Sequence, residues 1–67
     1  MEAGVRNKLR GRISEVKVDG VMAQVTMNTG DSEITSVMTR ESVEEAGFTE
    51  GDTVTALIKA VNVVFVR

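Results

Sequence analysis

From residue 8 the chain alternates. Leu9, Gly11 and Ile13 fall on one parity and Lys8, Arg10, Arg12 and Ser14 on the other, the spacing of a half-buried strand whose successive side chains point to opposite faces. The apolar parity then slips by one: Val16 and Val18 stand on even positions. An extra residue in one long strand produces such a slip, so a bulge or sharp coil is expected just after Ile13. Asp19-Gly20 is a two-residue hairpin signal, and Val21, Ala23, Val25 and Met27 alternate behind it with Met22, Gln24, Thr26 and Asn28 as a second strand. Gly30-Asp31 marks the next turn, after which Ile34, Ser36 and Met38 alternate with Thr35, Val37 and Thr39. The pattern predicts a three-strand meander.

From Thr39 to Gly47 the pattern becomes helical. Thr39 is an N-cap residue, Glu41 and Glu44 lie in the first turns, and Gly47 stands where a left-handed residue ends a helix. Phe48 and the turn Glu50-Gly51-Asp52 lead into a fourth strand over Thr53–Ile58, and Lys59-Ala60 precede a last strand near Val61–Val66. The fold class expected is all-β, a small OB-like five-stranded barrel with one short helix. In the last strand Val61, Val63 and Phe65 face one way and Val64 and Val66 the other. One face fills the barrel; the second is an apolar stripe in a monomer, which marks an interface.

Sixty-seven residues are read as one domain, 1–67, whose lone core is marginal. Small folds compensate with disulfides, a structural metal or self-association, and the chain has no Cys and no His. A homo-oligomer is therefore expected. The opening residues Met1 to Arg6 lack the apolar stretch of a signal peptide, and the longest apolar run is interrupted by Lys59 and Asn62, so the expected protein is cytoplasmic with no membrane partner. Without His, Cys or Tyr the usual general bases and activated nucleophiles are missing, which argues against an enzyme. A net charge of −2 argues against a broad attraction to nucleic acid, so any anion must be caught locally.

Candidates for such a local site exist. A tetrahedral dianion offers only acceptor oxygens and needs cations, hydroxyls and backbone N–H groups around it. Arg6 precedes the first expected strand, Thr39 and Ser42 occupy the N-cap and N3 positions of the helix, and Lys59 separates the last two strands. Each has a plainer explanation: Thr39 and Ser42 as a helix start, Lys59 as a snorkelling side chain, and the stripe of Arg6, Lys8, Arg10 and Arg12 as a solvated face paired with neighbouring carboxylates. That stripe also supports an alternative, an OB-fold nucleic-acid module. Phe48 and Phe65 are the only aromatic residues, which leaves such a module short of stacking platforms. No cofactor motif or metal-ligand set is present.

Taken in order, Arg6-Asn7-Lys8-Leu9 leading into Gly11, Val21-Met22-Ala23, Ile34-Thr35-Ser36-Val37, Glu41-Ser42-Val43 and the run Gly51 to Ala60 resemble the molbindin family over nearly the whole chain. The resemblance implies an OB-like barrel whose first strand crosses between subunits, assembled as a hexamer, a trimer of dimers. It further implies molybdate or tungstate bound as the oxyanion at subunit interfaces, for intracellular molybdenum storage. By that resemblance Arg6 and the backbone of Asn7 come from one subunit, and Thr39, Ser42, Lys59 and the Ala60 backbone N–H from the other. Gly4 stands where many relatives carry a hydroxyl residue, which removes one donor.

Overall fold

The structure, a computed structural model, describes residues 4–67. Its spine is one long strand. β1 (Val5–Asp19) pairs antiparallel with two neighbours in turn: Val5–Arg12 faces β4 (Thr53–Lys59), and Arg12–Asp19 faces β2 (Met22–Asn28). With β3 (Glu33–Thr39) on the far side of β2, the sheet order is β3-β2-β1-β4, antiparallel throughout. The parity slip after Ile13 is realised as a register shift between Ile13 and Glu15, with Ser14 as the additional residue. The Ser14 hydroxyl donates to the Thr26 carbonyl at 3.3 Å. Beyond the bulge Val16 opposes Val25 and packs against the core, while Val18, opposite Ala23, is exposed.

The first hairpin sits one residue later than the Asp19-Gly20 pattern suggests. Asp19 pairs with Met22, so the loop is Gly20-Val21, with Gly20 at φ +65° supplying the positive φ that a tight hairpin needs. Val21 is 77% exposed and belongs to that loop rather than to the second strand.

α1 (Arg40–Ala46) starts and stops as its sequence indicates. The Thr39 hydroxyl oxygen accepts from the Ser42 N–H at 3.1 Å, and Gly47, at φ +71°, donates its N–H to the carbonyls of Val43 and Glu44. The helix contributes one buried side chain, Val43, which packs with Ile13, Ala23 and Val25 to form the core. Val16, Met38, Phe48 and Val54 close around them. Two backbone bonds, Gly51 N–H to Ile13 O at 2.8 Å and Ile13 N–H to Asp52 O at 2.9 Å, fasten the turn before β4 to the bend of β1.

The fifth strand expected near Val61–Val66 is not formed. β4 runs directly into a 3₁₀ turn, η1 (Ala60–Asn62), and residues 63–67 carry no strand pairing. The barrel is accordingly open: β3 and β4 are the two sheet edges and nothing among the described residues joins them. A strand exists only where a partner satisfies its backbone, and a segment apolar on both faces needs two surfaces to bury it. One copy of the chain provides neither for residues 61–66. Among the described residues no helix is long and apolar enough to cross a membrane.

Candidate functional site

Four of the six candidate residues meet at one corner of the molecule. Arg6 lies within β1 rather than before it, at a second register shift, between Val5 and Asn7. Val5 opposes Lys59 and Asn7 opposes Ile58, so Arg6 is the extra residue and stands beside Lys59 in the β1/β4 ladder. The Asn7 side chain donates to the Ile58 carbonyl at 3.3 Å, and the Ala60 N–H donates to the Gly4 carbonyl at 2.8 Å. Gly4 has φ +81°, a conformation that turns its carbonyl onto Ala60 and that a hydroxyl residue would adopt only under strain. Lys59 ends β4 and caps η1 instead of separating two strands. Arg6 and Lys59 are both exposed, and among the described residues neither has a carboxylate within ion-pair distance.

Thr39 and Ser42 occupy a different corner. Thr39 opposes Met22, which opposes Asp19, so this pair sits at the end of β1 remote in sequence and register from Val5. The Thr39 hydroxyl donates to the Ser42 hydroxyl oxygen at 2.8 Å while accepting from the Ser42 N–H. Its proton is therefore committed, and the hydroxyl of Ser42 keeps its own proton for an outside acceptor. The structure brings together Arg6, Asn7, Lys59 and Ala60 and leaves Thr39 and Ser42 apart from them, whereas the family resemblance groups Lys59 and Ala60 with the helix start. The Ala60 N–H is already engaged by Gly4, so it is a shared donor rather than an open one.

Neither corner is enclosed. Exposed cations hold an anion weakly in water and are screened by salt. An apolar cleft of about 420 Å³ does exist, but it opens between β3 and β4 and is lined by Val25, Met27, Ile34, Met38, Val54 and Ile58 among others. None of the six candidates borders it. Among the described residues the basic stripe has no carboxylate opposite it in the register of this chain: Lys8 opposes Leu57, Arg10 opposes Thr55, and Arg12 opposes Thr53 and Asn28. Of the two aromatic rings, Phe48 packs against the core and Phe65 alone is exposed, beyond η1, so the nucleic-acid alternative has a single stacking ring and no platform of several. Among the described residues no group of three or more carboxylates is placed to hold a metal ion.

Two structural features escape sequence patterning. At Gly11 an added Cβ would overlap the Asn28 carbonyl oxygen and lie 3.1 Å from Thr29 Cγ2, so β1 and the end of β2 approach too closely for any side chain. The Gly4–Ala60 hydrogen bond, which closes the Arg6 corner, links backbone groups and leaves no mark on residue type.

A bent four-stranded sheet with one capped helix and donor-rich corners defines an OB-like binding module, with no catalytic constellation visible among the described residues. The chain belongs to the TOBE domain family, which it matches over residues 4–65. It is 38% identical over 64 residues to molybdenum-pterin-binding protein 1 of Clostridium pasteurianum, covering 94% of each chain. The solved structure of a molybdate-binding protein from Sporomusa ovata superposes with a TM-score of 0.90 at 33% identity, covering 100% of both chains. The cytoplasmic molybdate-binding protein ModG, solved with molybdate bound, superposes at a TM-score of 0.85 with 37% identity; the match covers 96% of this chain and 46% of ModG.

Proposed function

We propose that this protein binds molybdate, or the similarly sized tungstate, as an intact oxyanion between copies of the chain, and serves as a reversible cytoplasmic store of it. The observation that carries this reading is the corner at which the β1/β4 register sets Arg6 beside Lys59. Two cations match a dianion, and relatives covering nearly the whole chain are molybdenum-pterin- and molybdate-binding proteins. The remaining oxygens require further donors, which Thr39 and Ser42 offer from the opposite corner. Because one chain keeps these corners apart, the complete pocket takes Arg6, Asn7, Lys59 and Ala60 from one copy and Thr39 and Ser42 from another.

Burial between copies also supplies the affinity that exposed cations lack. Inside a dry interface the charge-assisted hydrogen bonds strengthen, and the paired dianion offsets the cost of desolvating Arg6 and Lys59. A lining made only of donors disfavours a protonated oxyanion, and pocket size favours the larger molybdate over sulfate. The assembly we propose is a hexamer, a trimer of dimers, with no catalytic activity, no resident cofactor and no nucleic-acid partner.

The test is a calorimetric titration with molybdate, repeated in excess sulfate, on a sample whose assembly state is measured by sedimentation. Saturable heat that survives sulfate, in an oligomer, is the expected result, together with a rise in the melting temperature as ligand binds the native state. No heat and no thermal shift would defeat the reading.

A further inference from the structure

We infer that Asn7, through its side chain, is the positioning residue of the proposed oxyanion site: it holds the bulge in β1 that sets Arg6 beside Lys59, and it acts on the anion only through Arg6. This is separate from the backbone role that the family resemblance gives Asn7. The inference deepens the proposed function and rests on it. Its first ground is the bulge. From Arg12 back to Asn7 the pairing with β4 is regular, Leu9 opposite Ala56 and Asn7 opposite Ile58; at Val5 it has slipped by one, so Val5 opposes Lys59 and Arg6 is left over. Without the slip Arg6 would stand directly opposite Lys59, a cross-strand pair of like charges, which is unfavourable. The bulge keeps the two cations adjacent but out of direct register, an arrangement suited to an anion that both of them hold.

The second ground is the polar side chain beside it. Asn7 shares the parity of Gly11 and Ile13, and it is half-buried where its neighbours Arg6 and Lys8 are exposed. A polar group withdrawn from water needs a partner. Asn7 Nδ2 donates to the Ile58 carbonyl at 3.3 Å, a tie between the start of β1 and the end of β4. A bulge disrupts the ladder locally and leaves backbone groups wanting partners. The Asn7 amide supplies one at the residue pair where regular pairing stops.

The third ground is the other flank of the bulge. There the Ala60 N–H donates to the Gly4 carbonyl at 2.8 Å, so the chain is tied on both sides of Arg6. The outer tie joins backbone groups and does not depend on residue type. The inner one needs an amide side chain, so the dependence of the bulge on sequence falls on Asn7. Arg6 itself lies outside the core, and nothing in the packing of the apolar side chains fixes where it stands.

The test uses the full chain in two measurements. In the first, Asn7→Ala, Arg6→Ala and the double variant are titrated with molybdate by calorimetry. Asn7→Ala is expected to weaken binding by about 3- to 10-fold, the scale of one side-chain hydrogen bond, and to add less than about 2-fold once Arg6 is already Ala, because no guanidinium remains to be misplaced. Equal losses in both backgrounds, or no loss in either, would overturn the positioning role while leaving the corner standing. Full affinity in Arg6→Ala would overturn the corner and the inference together.

The second measurement needs no ligand. Cross-strand nuclear Overhauser contacts in the unliganded protein should place Val5 opposite Lys59, and in Asn7→Ala they should move to the regular register with Arg6 opposite Lys59, while the pairing from Leu9 to Arg12 is unchanged. Asn7→Asp, which keeps the shape and loses the donor, should show the same move. A bulge that persists in both variants would overturn the inference, whatever the titrations give.

Discussion

Arg6→Ala is expected to weaken molybdate binding by roughly 10²- to 10⁴-fold while leaving the fold intact. Removing one partner of a desolvated charge pair costs about 3–5 kcal/mol, because the other charge stays buried without compensation. Lys59→Ala should act on a similar scale, since its position is adjacent in the β1/β4 ladder. Neither side chain is part of the core, so thermal stability without ligand should change little. The informative control is Arg10→Ala. Arg10 carries the same charge on the same strand but lies opposite Thr55, away from the corner, so its loss should alter affinity only weakly and in a salt-dependent manner. Calorimetric titration of the three variants checks the set. Equal losses in all three would mean that the stripe binds anions diffusely, and full retention in Arg6→Ala and Lys59→Ala would remove the assigned corner.

The second large effect is on stability. Gly11→Ala is expected to lower the melting temperature by roughly 10–20 °C, because a Cβ there meets the Asn28 carbonyl, which belongs to the sheet and cannot swing aside. Overpacking costs about 1–3 kcal/mol, and in a domain of this size each kcal/mol moves the midpoint by about 4–8 °C. A thermal melt followed by circular dichroism measures it. An unchanged midpoint would mean that β1 and β2 can separate at Arg12 and Asn28 without loss. The site is sensitive because few side chains are buried: the buried apolar set among the described residues is Ile13, Ala23, Val25, Met27 and Val43.

What was legible in the chain follows the range of the interaction concerned. Period-two alternation is local, so β1 to β4 could be read, and the parity slip at Ser14 announced the bulge that bends β1. The helix was legible from both ends because Thr39 and Gly47 act on backbone groups within a few residues. The fifth strand was not, although residues 61–66 have strand composition, because pairing depends on a surface that one copy does not supply. The candidate site divides in the same way. Its residue types were visible, but register decides which of them meet, and register set Lys59 beside Arg6 rather than beside Ser42. Gly11 was visible as a glycine on the inward parity of a strand, but what it makes room for was not, because that constraint is a contact with another strand and its φ is not positive.

The central claim, that one oxyanion is held by opposite corners of two copies, is tested most directly by mixing. Arg6→Ala and Ser42→Ala are each prepared alone and then co-refolded in equal amounts, and molybdate binding is titrated in all three samples. Each variant alone has every pocket damaged. In the mixture some interfaces join the intact Arg6 corner of one variant to the intact Ser42 corner of the other, and those pockets should recover the unmodified protein's affinity at a reduced stoichiometry. Binding in the mixture no better than in the separate variants, with subunit mixing verified by mass, would contradict a pocket shared between copies.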